Sequence, residues 1–470
     1  MKVLISRYAF TLFSLAVLVT LSVASVTAKP GPRAEPDYNS LDAVVAAELK
    51  EKHTPGAVVA IVSDDKVIYA KAFGLANVET NAPMQKEMLF RIGSTTKMFT
   101  AAALVKLSEA GKIKLNEPIG NRVKSLSPRL SQVTPHYLLS NSAGVSDFAP
   151  PFISQDDESL GRMVRGWKDD VLFAEQGEIY SYSSPGFWLS GFIVEELSGK
   201  SYADAMDELL FKPLGMNRTT LRPLMAMTYP LAGGHNVSAE GAPAIIRPFY
   251  NNVAQWPAGS IFSNINDLSR WVIAFMNAGR LEGKQVLSAE LVSQMSRPHI
   301  AVPGEKDSFY AYGLTTFRYQ GVQFVAHGGF SRGYGSMIQM APERKFAVIV
   351  LTNKSGETLR RTLNRASELG LNLQPEEPEK PKSPPSPTPA ELAEYVGSYK
   401  GTTNWDVYLK DGKLFVKNEG TDYLLTASGE RKFSFGSANE NELVFVPGKT
   451  GRIEFIFSEL YSAKKVKAGR

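Results

Sequence analysis

Cysteine is absent from all 470 residues of the chain. Disulfides, thiolate nucleophiles, iron–sulfur clusters and cysteine-based zinc sites are therefore excluded. Histidine is scarce, with five residues, no two of which lie within five positions of each other. The H-E-x-x-H helix of zinc peptidases is consequently missing as well. We expect no metal and no other cofactor, so any catalysis has to use oxygen and nitrogen side chains.

The chain also lacks a strong charge of either sign. Its net charge is +5, which falls to +3 if Lys2 and Arg7 are removed with an N-terminal segment. A charge this small and this dispersed argues against a nucleic-acid partner. The hydrophobic content of 43% is ordinary for a globular protein and excludes disordered, fibrous and polytopic membrane proteins.

The N-terminus has the pattern of a secretory signal peptide. Residues 1–7 carry two positive charges and no acid, and residues 8–23 are almost entirely apolar. Small residues permit cleavage after Ala28 or after Ala24. The apolar run is shorter than the roughly 20 residues of a membrane span, which favours cleavage over a retained anchor. We predict a signal peptide over 1–28, a periplasmic or secreted product, and no stable membrane span after cleavage.

A proline-rich segment divides the remaining chain. Seven of the 16 residues in 374–389 are proline, and such a composition favours extended geometry that cannot pack a core. It predicts a linker over 374–389 between a domain at 29–373 and a smaller one at 390–470. We expect the two domains to have separate cores, and a chain that ends near Leu373 to fold.

The larger region is predicted to be α+β. Five strands are expected from its two ends, at Gly56–Val62, Lys66–Phe73, Val322–His327, Tyr334–Ala341 and Phe346–Asn353. Helices are expected mainly between them, at Lys97–Ala110, Phe187–Leu197, Tyr202–Phe211, Ile265–Asn277 and, last, Glu357–Leu369. This arrangement favours an antiparallel five-stranded sheet flanked by helices, with a helical subdomain, over alternating β-α units.

The smaller region is predicted to be all-β. A hairpin is expected at Val407–Lys417 around Asp411-Gly412, which is a strong turn signal. Further short strands are expected at Tyr423–Thr426, Lys432–Phe435, Glu442–Val446 and Arg452–Phe457. Short strands at regular spacing are typical of a small antiparallel barrel or sandwich.

One S-x-x-K motif has a context that suits catalysis. The pattern occurs three times, but only Ser94 and Lys97 are followed by a buried helix, which ends at Gly111. Residues i and i+3 share a helix face, so the hydroxyl and the ammonium can touch. A desolvated lysine can serve as the base that a serine nucleophile needs. The alternative is an N-cap serine beside a surface lysine.

Two further segments give the motif a family context. Tyr180–Phe187 reads Y-S-Y-S-S-P-G-F before an apolar helix, and His327-Gly328-Gly329 ends a late strand. In this order the three elements resemble the serine β-lactamase and penicillin-binding protein superfamily, class C type. That superfamily includes β-lactamases, D-alanyl-D-alanine carboxypeptidases, D-aminopeptidases and esterases. The resemblance covers about residues 40–355 and implies a serine hydrolase with an acyl-enzyme mechanism.

The resemblance implies a role for each site residue. Ser94 is the acylated nucleophile, and Lys97 and Tyr182 share proton transfer. Tyr182 is the favoured general base provided that neighbouring cations lower its pKa. The substrate is expected to contact Ser184 and the segment from His327 to Phe330: backbone N–H groups of Ser94 and Phe330 form the oxyanion hole, and the glycines Gly328 and Gly329 let substrate approach the strand.

Two positions depart from the family pattern. Ser184 occupies the place where an asparagine often binds the acyl amide, and His327-Gly328-Gly329 replaces the K-T-G of penicillin-recognising members. Both changes weaken the case for β-lactam hydrolysis. Because histidine titrates near pH 6.5, we expect His327 to bind carboxylate substrates less well as the pH rises. A G-x-S-x-G match at Ser331 lacks a following helix, so Ser331 is interpreted as a rim residue.

The sequence therefore favours an exported serine hydrolase that cleaves an amide or ester. Its substrate could be a D-amino-acid peptide, a cell-wall fragment, a β-lactam or a small ester. The alternative is a catalytically silent binding or regulatory protein on the same scaffold. The segment Leu392–Tyr399 resembles the start of lipocalin-like modules, and this module is a candidate surface for oligomerisation. We expect that its loss leaves acylation in place.

Overall fold

The computed structural model describes residues 38–374, 387–418, 420–436 and 440–466. The predicted signal peptide and most of the predicted linker lie outside these ranges. Within them, no helix has the length and apolar character needed to cross a bilayer.

The larger region contains 15 strands and 13 α-helices among its described residues. The strands are β1 Gly56–Ser63, β2 Lys66–Asn77, β3 Ala82–Pro83, β4 Phe90–Arg91, β5 His235–Val237, β6 Pro243–Ile245, β7 Phe262–Ser263, β8 Arg280–Leu281, β9 Lys284–Gln285, β10 Ile300–Ala301, β11 Phe309–Tyr310, β12 Thr315–Tyr319, β13 Val322–Ser331, β14 Tyr334–Ala341 and β15 Phe346–Thr352. The helices are α1 Asn39–Glu51, α2 Thr96–Glu109, α3 Pro128–Ser131, α4 Pro135–Leu139, α5 Ser159–Arg165, α6 Ser184–Ser198, α7 Tyr202–Met206, α8 Lys212–Leu214, α9 Pro223–Ala226, α10 Trp256–Gly259, α11 Ile265–Met276, α12 Ala289–Ser296 and α13 Arg360–Leu371.

One antiparallel sheet organises this region. Its strand order is β10-β11-β12-β13-β14-β15-β1-β2-β3. The five predicted strands are its central members, so the expectation that the two ends of the region share a sheet is confirmed. The expected count of five strands is wrong, because four short strands extend the edges to nine. Three of these pair over only two residues, which is too short to produce a periodic hydrophobic pattern.

Both faces of the sheet are covered. In β1, Ala57, Val59 and Ile61 pack into a cluster with α1 and α13. The alternate residues Val58, Ala60 and Val62 pack into the larger cluster with the helical part of the region. Because side chains alternate along a strand, this two-sided burial explains why β1 is almost continuously apolar.

Helix α13 is fixed to α1 by a buried carboxylate. Glu48, which is 1% exposed, accepts hydrogen bonds from the backbone N–H groups of Arg361 and Thr362 and from the Thr362 hydroxyl. These N–H groups belong to the first turn of α13 and have no partner within the helix. Glu48 thus supplies a cap from a distant part of the sequence.

The smaller region is a nine-stranded, near-barrel antiparallel sheet, here called the C-terminal module. It opens with α14 Pro389–Tyr395, and its strand order is β19-β18-β17-β16-β24-β23-β22-β21-β20. The predicted all-β class is confirmed. The strands are β16 Gly397–Gly401, β17 Trp405–Lys410, β18 Lys413–Asn418, β19 Thr421–Leu424, β20 Thr426–Gly429, β21 Lys432–Phe435, β22 Asn441–Pro447, β23 Ile453–Ser458 and β24 Tyr461–Lys465.

The module has its own core, but it also shares two apolar clusters with the larger region. Phe457 packs with Tyr180 and Tyr310, and Phe455 packs with Ile179 and Ala174. The expectation of fully separate cores is therefore wrong at this contact. The linker composition bears on packing of the linker alone, and it does not prevent the module that follows from docking.

Candidate active site

The S-x-x-K motif lies where a 3₁₀ turn, Gly93–Thr95, enters α2. Gly93 has φ +52°, and a Cβ there would lie 2.4 Å from the carbonyl oxygen of Phe330, so only glycine fits. Thr95 fixes the turn to β13 and β14: its hydroxyl donates to the carbonyl of His327 at 3.3 Å and pairs with the Ser336 hydroxyl at 2.7 Å. These contacts bring Ser94 against β13.

Lys97 is fully buried and touches the candidate nucleophile. Its Nζ donates to Ser94 Oγ at 3.1 Å and to the carbonyl of Ala258 at 2.9 Å. It also lies 4.6 Å from the ring centroid of Tyr182. Burial lowers the pKa of Lys97 to about 7, and the charge of Asp147 opposes that decrease. A large neutral fraction is therefore available at pH 7, as a general base requires.

Tyr182 lies on the other side of the nucleophile and is hydrogen-bonded to Ser94. Burial raises the pKa of Tyr182 well above its ordinary value, while the bond to Ser94 acts in the opposite direction. The sequence interpretation gave Tyr182 the role of base on the condition that cations lower its pKa. That condition is not met, because burial of Tyr182 outweighs the effects that lower its pKa. Burial therefore favours a protonated Tyr182 and leaves Lys97 as the candidate base.

Ser184 begins α6 and points toward the same lysine. Lys97 Nζ donates to Ser184 Oγ at 3.5 Å, and Ser183 caps the helix by accepting from Gly186 N at 3.0 Å. The backbone N–H of Ser184 donates to Asp147 Oδ1 at 2.7 Å. Ser184 therefore joins the cluster that the sequence predicted.

His327 is buried and held as a neutral ring. Its Nδ1 lies 2.6 Å from the carbonyl oxygen of Gly328, which can only accept, so Nδ1 carries the proton. The unprotonated Nε2 then accepts from the hydroxyl of Tyr310 at 3.1 Å. Burial, with a smaller effect from Lys97, lowers the pKa of His327 to about 3. The expectation that His327 reads substrate charge near neutral pH is therefore wrong.

The glycine pair after His327 lets β13 approach the nucleophile turn. A Cβ at Gly329 would lie 2.0 Å from the carbonyl oxygen of Ile92, and one at Gly328 would lie 3.0 Å from the Met337 methyl group. Phe330 follows with its side chain 67% exposed at the rim. Its backbone consequently lies beside the start of α2, as an oxyanion hole made with Ser94 needs.

These residues line one cavity of about 950 Å³. The predicted residues Ser94, Tyr182, Ser184, His327, Gly328, Gly329 and Phe330 all line it, and Lys97 lies directly behind Ser94. Ser331 and Arg332 lie at the same cavity, and the chain after Ser331 continues as β14 rather than as a helix. Across the described ranges there is no group of His, Asp and Glu side chains that could hold a metal ion.

Sequence reasoning missed three contributors to the cavity. Asp147 lies three residues after Leu138–Gly144, a further segment that fits the family pattern, and this proximity is the signal that could have found it. Arg91 contributes a buried guanidinium that donates to the Tyr250 carbonyl and the Ser260 hydroxyl. Tyr461 comes from the C-terminal module, and no local pattern connects it to the other site residues.

Comparison with known families and curated proteins agrees with this geometry. A model of the family described as Beta-lactamase matches residues 41–372. The unguisins hydrolase ungD' of Aspergillus campestris is 31% identical over 330 residues, which cover 66% of this chain and 60% of that protein. Protein flp of Staphylococcus aureus is 24% identical over 323 residues, covering 67% and 63%. The match thus spans less than two thirds of these relatives.

Two solved structures share the fold over a longer stretch. An octameric penicillin-binding protein homologue from Pyrococcus abyssi aligns with a TM-score of 0.64 and 25% identity, covering 91% of this chain and 100% of that one. SurE aligns with a TM-score of 0.74 and 22% identity, covering 91% and 98%. Both alignments exceed the family match and extend into the C-terminal module. The buried Lys97 contacts Ser94 at the start of α2, and the family model matches most of the chain. The protein therefore belongs to the Beta-lactamase family of serine hydrolases.

Proposed function

We propose that this chain cleaves an amide or ester through a covalent acyl-enzyme on Ser94, with Lys97 as the general base. The observation that carries the proposal is the 3.1 Å contact between Lys97 Nζ and Ser94 Oγ inside a buried site. The lowered pKa of Lys97 supports it, because an amine that is partly neutral at pH 7 can accept a proton from the serine hydroxyl.

Acylation of Ser94 then needs three proton transfers. Ser94 Oγ attacks the substrate carbonyl carbon, and its proton moves to the neutral Nζ of Lys97. When the carbon–nitrogen or carbon–oxygen bond of the tetrahedral intermediate breaks, the Tyr182 hydroxyl gives its proton to the leaving group and is reprotonated from Lys97. Water then hydrolyses the ester on Ser94, which returns the enzyme to its starting state.

The negative charge that develops on the substrate oxygen needs hydrogen-bond donors. Backbone N–H groups of Ser94 and Phe330 serve as the oxyanion hole, a role supported by the close packing of β13 on the nucleophile turn. Ser184 Oγ lies near Lys97 and faces the cavity, so it is assigned to the substrate amide on the acyl side. Its reach is shorter than that of asparagine, which favours a substrate whose amide lies close to α6.

A peptide-like substrate suits the cavity better than a small ester. Its volume of about 950 Å³ and its aromatic lining provide room for several residues; the aromatic side chains are Phe148, Tyr180, Tyr182, Trp188, Tyr250, Tyr310, Phe330 and Tyr461. One relative is named an unguisins hydrolase, and SurE has been solved with D-Leu. We therefore favour a peptidase or carboxypeptidase acting at a D-amino acid, with ester hydrolysis as the second activity of the same site.

We also propose that the chain is exported and that it assembles into oligomers. The apolar N-terminal segment supports a periplasmic or secreted enzyme. The octameric homologue supports assembly of this chain into oligomers, with the module as the candidate surface.

Intact-mass spectrometry of the full chain tests the proposed function. The protein is incubated with a fluorophosphonate and with a panel of D-peptides, matched L-peptides, esters and β-lactams. An adduct located on Ser94 and faster turnover of D-peptides are expected. A chain that binds these ligands without acylation on Ser94 would instead be the catalytically silent binding protein.

A further inference from the structure

A turn of the C-terminal module is hydrogen-bonded to the segment that carries Tyr182. The backbone N–H of Tyr182 donates to the carbonyl of Leu460 at 2.9 Å. Ser462 adds two bonds: its N–H donates to Ser181 Oγ at 3.0 Å, and its hydroxyl donates to the carbonyl of Tyr180 at 2.7 Å. The turn between β23 and β24 and the first residues of β24 therefore lie along this segment like a neighbouring strand.

The opposite side of the same segment is held by the larger region. The N–H of Ser181 donates to the carbonyl of Asn141 at 2.9 Å, and the N–H of Ser183 donates to Asn141 Oδ1 at 3.1 Å. The backbone around Tyr182 is thus fixed from two sides, and one of the two sides belongs to the module.

A second contact reaches the site through a carboxylate. The side chain of Tyr461 is hydrogen-bonded to Asp147, and its ring lies 6.5 Å from that of Tyr182. Asp147 accepts from Ser184 N at 2.7 Å, and its own N–H donates to Thr402 Oγ1 at 2.8 Å. Two module residues therefore hold Asp147, which in turn holds the start of α6.

The face of the module that docks on the larger region is apolar. Along β23, Ile456 packs into the module core, whereas Phe455 and Phe457 on the other face pack against the larger region. A barrel alone would place these two phenylalanines in water, which is unfavourable for large apolar side chains. An ion pair between Lys464 and Glu178 at 2.6 Å lies beside them.

We infer that the C-terminal module contributes to catalysis at the active site. Tyr461 is a positioning residue, which acts through Asp147 on Ser184 and Lys97. The segment Leu460–Ser462, which joins the turn to β24, positions Tyr182 directly through hydrogen bonds to residues 180–182. This inference rests on the proposed acyl-enzyme function. It differs from the expectation that the module is dispensable for acylation, because the turn supplies both hydrogen bonds and part of the cavity wall.

Tyr461→Phe in the full chain tests the inference, because it removes the hydroxyl and keeps the ring that lines the cavity. Losing a hydrogen bond to a buried charged group is expected to lower kcat for acylation about tenfold or more. The change in KM is expected to stay within about twofold, since the cavity keeps its shape. Tyr408→Phe is the matched control: Tyr408 is hydrogen-bonded to Asp422 on the exposed side of the module, and its loss should leave kcat unchanged.

The pH profile separates positioning from a general loss of structure. The titratable groups around Lys97 are Asp147, Tyr182 and His327, and the two latter are neutral near pH 7. Without the Tyr461 hydroxyl, the carboxylate of Asp147 is less stabilised and supports the Lys97 ammonium less well. The acid limb of the rate profile should therefore move to lower pH in Tyr461→Phe, and it should not move in Tyr408→Phe.

The outcomes can be told apart from failure of the proposed function. If wild type forms an adduct on Ser94, while Tyr461→Phe has the wild-type kcat and pH profile, the inference is overturned and the function stands. If wild type forms no adduct, the proposed function itself is wrong. Should Tyr461→Phe fail to fold, Thr402→Val, which removes the acceptor of the Asp147 N–H, is judged by the same two readouts.

Discussion

Two regions meet at this active site, the start of α2 and the segment Leu460–Ser462. Only the first can be recognised from a local sequence pattern. The start of α2 carries Ser94 and Lys97 three positions apart, so a local pattern reveals both residues. The segment Leu460–Ser462 contains no recognisable motif. Its role becomes visible only when the C-terminal module docks on the larger region. The difference shows that residues performing chemistry can be read locally, whereas residues that position them depend on tertiary packing.

The largest loss of activity is expected at the start of α2, where Ser94 lies. Ser94→Ala should lower turnover by several orders of magnitude, because it removes the nucleophile. Its Tm should stay within a few degrees of wild type, since one partly exposed oxygen adds little stability. Fluorophosphonate labelling should disappear in Ser94→Ala and persist in Ser331→Ala. Labelling at Ser331 would contradict the assignment.

Replacement of the lysine should come next in size. Lys97→Met is expected to lower the acylation rate about 10²- to 10⁴-fold, which is the usual contribution of a positioned general base. Lys106→Met is the matched control, because Lys106 lies on the same helix and donates to the Leu209 carbonyl away from the cavity. Equal losses in both variants would show that only helix stability had been measured.

The wild-type pH profile tests the same assignment without a mutation. The neutral form of Lys97 is the proposed base and its pKa is about 7, so the acylation rate should rise between pH 6 and 8 and level off above. Below pH 6 the rate should fall about tenfold per unit. A rate that is flat from pH 5.5 to 8.5 in single-turnover measurements would exclude Lys97 as the base.

Removal of the module probes the other side of the comparison. A chain ending at Leu373 should still fold, because the two main clusters of the larger region are built from residues up to Leu373. Its acylation rate should nevertheless fall about 10²-fold, as expected when a catalytic group loses its exact placement. Circular dichroism measures whether the shortened chain folds, and adduct formation measures its acylation rate. Wild-type acylation by the shortened chain would show that the module is only a neighbour.

The smallest effect is expected at His327. Because its pKa is about 3, the ring stays neutral from pH 5.5 to 8.5 and cannot change its attraction for a carboxylate. The ratio of KM values for a matched charged and neutral substrate should therefore change by less than about twofold over this range. A steady rise of that ratio with pH would show that the ring titrates near neutral pH.

Much of this molecule could be predicted from its sequence. The central strands and the buried α2 helix follow from periodicity, and the contact of Ser94 with Lys97 follows from motif spacing. That Tyr182 joins them was implied by the family resemblance. The edge strands could not be predicted, because pairs of two residues carry no pattern. The protonation of Tyr182 and His327 could not be predicted either, because it depends on burial by distant elements. Tyr461 was missed because only docking of the C-terminal module brings it to the site.

The pairing of β1 with β15 has a consequence for how the chain matures. Ala57 pairs with Thr352 in the middle of the sheet, so the central pairing joins segments almost 300 residues apart. Contacts of such long sequence separation form slowly, since the loop between them must first close. The sheet cannot be completed before Thr352 has been synthesised. For an enzyme exported as we propose, this topology delays folding until most of the chain has left the ribosome, which keeps it competent for translocation.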